Sequence, residues 1–211
     1  MSDIDPNPTL GLRERKKLQA MRHIQGVALD LFDEHGYSRV TVEQVAAAAD
    51  VSPSSVYRYF GTKEKLVLHD EYDPQLLAML AKEGPPIVTV GDVLSMIRTA
   101  AALVIGHLEP NELRQIERRM RYVVTEPDVR TGMARDAEGI AEQLCVLLAE
   151  RAGASPDSLE VRVVVVSAIW GFLGAVDQWV RSDFGESLHS LIDRTMEILS
   201  RGGDVVLAGS A

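Results

Sequence analysis

Cysteine is almost missing from this chain of 211 residues: Cys145 is the only one. No internal disulfide can form, which points to a reducing compartment, and Cys145 itself reads as a small core hydrophobe. Aromatics are scarce at 5%, and no strand-like run of alternating apolar residues competes with the helical pattern. Long apolar runs are also few. The longest, 161–180, is interrupted by Arg162, Ser167, Asp177 and Gln178, and reads as too polar for a membrane span. The first ten residues lack a basic start followed by an apolar stretch, so no signal peptide is expected; their Pro, Asp and Asn content suggests a disordered arm over 1–12.

Catalytic signatures are absent too. His107-Leu-Glu109 has the His-x-Glu spacing of zinc deaminases, but a single cysteine cannot complete such a site. The acids of 69–73 lack the turn glycine of a calcium loop, and the five histidines show no metal-ligand spacing. There is no glycine-rich phosphate loop and no Gly-x-Ser-x-Gly elbow. No enzyme activity, metal or cofactor is expected.

What is present is an all-α pattern of about nine helices, with an uneven charge. Residues 1–65 carry nine basic and nine acidic side chains, so the whole formal charge of -9 falls beyond them. The neutral end also holds the basic cluster Arg13–Lys17. An acidic protein can meet nucleic acid through an end that escapes the acidity.

Ile24, Val27, Ala28, Leu31 and Phe32 form one apolar stripe, stopped by Gly36. Thr-Val-Glu-Gln at 41–44 is a capping box opening a short helix near 42–49. Ser52 then caps a second helix with Pro53 at its first position, and Gly61 stops it. Thr62 is expected to cap the next helix. Two short helices on a tight turn make a helix-turn-helix.

The second helix, Val-Ser-Pro-Ser-Ser-Val-Tyr-Arg-Tyr-Phe at 51–60, mixes hydroxyls with aromatics. Ser52, Ser54 and Ser55 are short enough to let it seat deeply in a major groove. Val56 and Phe60 face inward as anchors. Tyr57 and Arg58 point outward to phosphate or base edges, and Tyr59 either joins them or packs. Lys63, a cation in the first turn of the following helix, opposes the helix dipole, which a nearby phosphate would explain.

The run from Arg15 to Leu66 resembles the DNA-binding domain of the TetR family of transcriptional regulators. The resemblance rests on Ala28–Phe32, His35–Tyr37, Thr41–Ala46, Val51–Phe60 and Lys63–Leu66. It implies a two-domain cytoplasmic regulator acting as a homodimeric repressor on a palindromic double-stranded DNA operator. It carries Thr41 to the phosphate-facing start of one helix, and Ser52, Ser54, Ser55, Tyr57 and Arg58 to the recognition helix. Thr62 and Lys63 become phosphate contacts, with Arg39 and the Arg13–Lys17 arm as lesser ones. Asp50 stands where the family has glycine, so a left-handed backbone is expected there.

The expected domains are 13–66 for DNA binding and 67–204 for ligand binding and dimerisation, with a disordered tail at 205–211. Helix 4 is expected to cross between them, broken at Asp73-Pro74. Later helices read as 90–107, 110–124, 127–151, 156–181 and 186–200, with Pro110, Pro127 and Pro156 in first turns.

The helix over 156–181 is apolar almost all round, which asks for cover on two sides, one of them a second copy. Val165, Phe172, Val176 and Trp179 with Leu188, Ile192 and Met196 of the last helix are the expected dimer residues. Gly171 and Gly174 would permit close approach there. A pocket for a small apolar effector is expected near Met96, Leu103, His107, Tyr122 and Trp170; the basic run 118–121 is either a solvated face paired with Glu112 and Glu117 or, through Arg118, a cation at the pocket mouth. Stretches 61–70 and 120–128 are similar to actinobacterial members that sense acyl chains or acyl-CoA. A co-repressor, or a helical enzyme or sensor with a vestigial helix-turn-helix, would share these features.

Overall fold

The computed structural model describes residues 11–70, 77, 78, 80, 87 and 89–202. They hold nine α-helices and no strand. The chain divides into two compact units between His69 and Asp70.

The first unit contains α1 (Leu12–His35), a 3-10 turn (Tyr37–Arg39), α2 (Val42–Ala48), α3 (Pro53–Phe60) and α4 (Lys65–Leu68). Ile24, Ala28, Leu29 and Phe32 of α1 are buried with Val45 of α2, Val56 of α3 and Leu66 of α4. The basic cluster Arg13–Lys17 is not an arm, since it lies within the opening turns of α1. Local chemistry places each turn. Gly36 ends α1 at φ 85°, and Gly61 ends α3 at φ 78°. Asp50 takes φ 54° in the turn between α2 and α3, the left-handed conformation that the family's glycine would adopt freely. α4 departs from expectation. Thr62 does not cap it; it opens on Glu64 in helical conformation and ends at Leu68, before the unit boundary. The break of helix 4 expected at Asp73-Pro74 lies outside the described residues.

The second unit contains α5 (Val90–Gly106), α6 (Pro110–Thr125), α7 (Pro127–Ala152), α8 (Leu159–Arg181) and α9 (Leu188–Arg201). Pro110 and Pro127 stand in first turns. Pro156 does not. It occupies the second position of a turn closed by Ser158 N–H donating to the Ser155 carbonyl at 3.0 Å, and Ser158 caps α8 instead. Between α8 and α9, Asp183 and Phe184 both adopt positive φ. The Phe184 ring sets its edge against Trp179 at 4.8 Å, and the Arg121 guanidinium covers it at 4.9 Å while pairing with Asp183 at 3.0 Å. These contacts offset the backbone cost of about 1–2 kcal/mol per left-handed residue.

α8 feeds two cores. Val165 joins Leu80, Ile87, Val93, Ala100, Leu144, Cys145 and Leu148. Val176 and Trp179 join Leu94, Leu188, Leu191, Ile192 and Met196. This accounts for much of its all-round apolarity inside one protomer. Val165, Val176, Trp179, Leu188, Ile192 and Met196 are all buried in the chain's own cores, and only Phe172 of the expected set is exposed. Gly171 also serves the protomer: a Cβ there would lie 3.0 Å from Thr195 and 3.1 Å from Leu199 of α9, whereas one at Gly174 would meet nothing. By length and composition alone α8 is apolar enough to cross a bilayer, contrary to the expectation from sequence. Only 22% of that stretch is buried, so the protomer leaves an apolar face open: Leu159, Val163, Val166 and Trp170.

Candidate nucleic-acid interface and effector clefts

α2 and α3 fix the geometry of the first candidate site. The Thr41 hydroxyl accepts from Gln44 N–H at 3.2 Å, and the Gln44 side-chain oxygen Oε1 accepts from Thr41 N–H at 2.8 Å. The capping box thus closes in both directions and sets the start of α2. Ser52 Oγ accepts from Ser55 N–H at 3.2 Å and lies 2.9 Å from the hydroxyls of both Ser54 and Ser55. Three hydroxyls therefore gather at the open N-terminus of α3, where the helix dipole favours an anion. Val56 and Phe60 are buried beneath them, as expected.

Tyr57 stands outward, 48% exposed, with its hydroxyl 3.5 Å from Glu43 of α2. Arg58 donates to Ser55 Oγ at 3.3 Å and lies over the Tyr59 ring at 5.0 Å. Tyr59 is a half-buried platform that orients Arg58. Arg39, Thr41 and Thr62 are exposed.

Lys63 has a different setting from the one expected. Its ammonium donates to the Tyr37 carbonyl at 2.6 Å and sits 4.2 Å over the Tyr37 ring and 5.7 Å from that of Phe32. A carbonyl and two ring faces stabilise the cation at the start of α4, where a phosphate had seemed the natural reason for it.

Among the described residues of the second unit are two sizeable clefts. One, of about 510 Å³, is lined by Ile87, Val90 and Val93 with Leu148, Arg151 and Val161 among others. Arg151 is held there by the Leu80 carbonyl at 3.2 Å and the Met96 sulfur at 2.7 Å. The other, of about 460 Å³, lies among α6, α7 and α8, with Val123, Met133, Trp170 and Leu173 on its walls and Arg130, Asp177 and Arg181 at its charged part.

Of the six effector residues expected from sequence, Trp170 lines the second cleft; Met96, Leu103, His107, Arg118 and Tyr122 line neither. Leu103 and His107 are exposed, and the His107 ring bonds to the Leu103 carbonyl one turn back. Arg118 is a half-buried neighbour of Gln115 at 3.3 Å. The buried cation of that run is Arg119, 4% exposed and paired with Asp70 at 2.6 Å. One residue is a 100° turn of a helix, enough to exchange the inner and outer faces. The sequence reading also missed the group formed by Arg130, Asp177 and Arg181. Its visible signal was Asp177 followed four residues later by Arg181 on an otherwise apolar helix. Cys145 is buried, and that burial pushes its thiol pKa up. Among the described residues no cluster of His, Cys, Asp and Glu has the arrangement of a metal site.

Residues 24–69 match the family described as bacterial regulatory proteins, tetR family, and residues 92–204 match the MftR C-terminal domain. The chain is 24% identical over 192 residues to the putative mycofactocin biosynthesis transcriptional regulator MftR of Mycobacterium tuberculosis, covering 90% of this chain and 94% of that protein. It is 29% identical over 187 residues to the HTH-type transcriptional regulator TcmR of Streptomyces glaucescens, covering 82% and 79%. Among solved structures, the fold is similar to NalD, the secondary repressor of a Pseudomonas aeruginosa efflux pump, with a TM-score of 0.58, 19% identity and coverage of 89% and 96%. It is also similar to FadR from Bacillus subtilis in complex with stearoyl-CoA, with a TM-score of 0.53, 24% identity and coverage of 86% and 98%. With a DNA-reading motif at one end and an MftR-type domain spanning more than half its length, the chain belongs to the TetR family and is a transcriptional regulator.

Proposed function

We propose that this regulator is a cytoplasmic homodimeric repressor that binds a palindromic operator through α3 and leaves it when a small apolar molecule occupies the second unit. The carrying observation is the outer face of α3, with three hydroxyls gathered at its N-terminus and Tyr57 and Arg58 directed outward. Ser52, Ser54 and Ser55 approach the groove floor, Tyr57 and Arg58 take base edges or phosphates, and Arg39, Thr41 and Thr62 flank them on the backbone. A second copy covers only the first half of the open apolar face of α8, at Leu159, Val163 and Val166, together with Ile198 of α9, and leaves Trp170 uncovered. Two-fold symmetry then sets two α3 helices about one duplex turn apart. An effector favouring another spacing shifts the population away from the DNA-bound form. The FadR complexes with lauroyl-CoA and stearoyl-CoA support an acyl-chain effector for this architecture.

The test is fluorescence anisotropy on duplexes tiling the region upstream of the gene, across a potassium chloride series. Specific binding that weakens steeply with salt is expected, and Tyr57→Ala should lower affinity at least about tenfold with folding intact, as loss of one good contact of roughly 1–3 kcal/mol implies. Binding indifferent to salt, or none, would favour a sensor with a vestigial motif. Effector added to the same assay reads the sign: tighter binding would establish a co-repressor instead.

A further inference from the structure

The cleft among α6, α7 and α8 has an unequal charge balance. Its charged lining residues are Arg130, Arg181 and Asp177. Arg181 Nε donates to Asp177 Oδ2 at 2.6 Å. Arg130 Nη2 lies 3.5 Å from Oδ1, and Oδ1 accepts no hydrogen bond. One carboxylate thus faces two guanidinium groups, leaving one positive charge unmatched in a chain whose formal charge is -9. Each guanidinium carries five N–H donors. Among the described residues Arg181 spends one of its five on Asp177, and Arg130 makes no hydrogen bond. Both side chains are more than half exposed, at 63% and 69%.

Beside this cationic end the wall is apolar. Val123, Met133, Leu173 and Val176 line it, and Trp170 leaves 53% of its surface to solvent. The volume of about 460 Å³ falls within the range of roughly 300–1,000 Å³ usual for small-molecule sites.

We propose that this cleft binds an amphipathic carboxylate, its apolar body against Trp170 and Met133 and its head group between Arg130 and Arg181. Asp177 acts as a positioning residue that holds Arg181 and draws Arg130 toward the same point. The single surplus charge matches a carboxylate; a phosphate monoester would bring close to two negative charges at neutral pH. The planar guanidinium fork suits a carboxylate's two oxygens. The inference rests on the effector reading above and assigns that effector a place and a head group.

Trp170 provides the signal. The full chain is titrated with decanoate, decanol, decyltrimethylammonium and decanoyl-CoA while tryptophan fluorescence is followed, with Trp170→Phe identifying the responding ring. Decanoate is expected to bind at least about tenfold more tightly than decanol. Arg130→Gln and Arg181→Gln should each reduce that preference several-fold and leave decanol affinity unchanged. In the wild-type protein the preference should shrink as potassium chloride rises, a readout that needs no variant. Equal binding of decanoate and decanol, a preference for the cation, binding of decanoyl-CoA alone, or no response at Trp170 would each overturn the assignment. Operator binding is followed in parallel. If DNA is bound but decanoate is not, the cleft assignment fails and the regulator reading stands. If decanoate binds with the expected charge preference and DNA affinity does not change, the site stands and its effector role falls.

Discussion

The two units are both helical, yet they are stabilised on different length scales. In the first, a single residue or a reciprocal pair fixes each turn: Gly36, the Thr41–Gln44 box, Asp50, the Ser52 cap and Gly61. In the second, helices run to 26 residues, and their positions depend on partners far along the chain. Trp179 packs with Leu94 as well as Leu188, and Asp70 reaches Arg119. A DNA reader needs a few side chains held at fixed offsets, which local caps provide. A unit proposed to admit an effector is better served by long helices whose packing tolerates adjustment.

That contrast predicts large effects from distant packing and small ones from caps. Trp179→Ala empties the core that α8 shares with α9 and Leu94 and should cost roughly 3–5 kcal/mol in a denaturant melt. If the unit boundary at His69 is also a boundary of cooperativity, the first unit should keep its helical signal while the second melts. Arg119→Ala should follow at about 3 kcal/mol, because it breaks a largely buried ion pair with Asp70; Arg118→Ala, one position away, should cost a small fraction of that. Ser52→Ala is expected to remove about 1 kcal/mol by freeing the first N–H groups of α3, and a loss as large as that at Trp179 would erase the distinction. The smallest effect is a gain. Asp50→Gly relieves a left-handed backbone at some entropic cost, and the net stabilisation should stay below about 1 kcal/mol. A loss of stability would mean that the Asp50 side chain contributes something the backbone does not reveal.

The same contrast governs what could be read in the sequence. Caps and stops act within four residues, so Thr41, Ser52 and Gly61 are legible in the sequence, and the family resemblance adds the left-handed Asp50. The bounds of α5, α6 and α7 came within a residue or so because prolines and glycines punctuate them. What covers an apolar residue is not a local property. Val176, Leu188 and Met196 are as hydrophobic in a protomer's core as in a dimer seam, and the sequence does not distinguish the two. The shift from Arg118 to Arg119 has the same origin, since helical phase is set by tertiary packing. At Pro156 two local rules competed. A proline serves equally well in a helix's first turn and in the second position of a β-turn, and the Ser158 cap decided between them.

Lys63 has a consequence for how tightly the operator is held. On duplex DNA each phosphate neutralised by a protein cation releases about 0.9 of a condensed counterion. An ammonium already engaged by the Tyr37 carbonyl and two aromatic faces is poorly placed to release any. The operator complex should therefore shed fewer ions per protomer than a tally of basic side chains around α3 suggests. Removing this lysine would be felt as a looser hold between the turn after α1 and the start of α4, while the slope of affinity against ionic strength stayed the same.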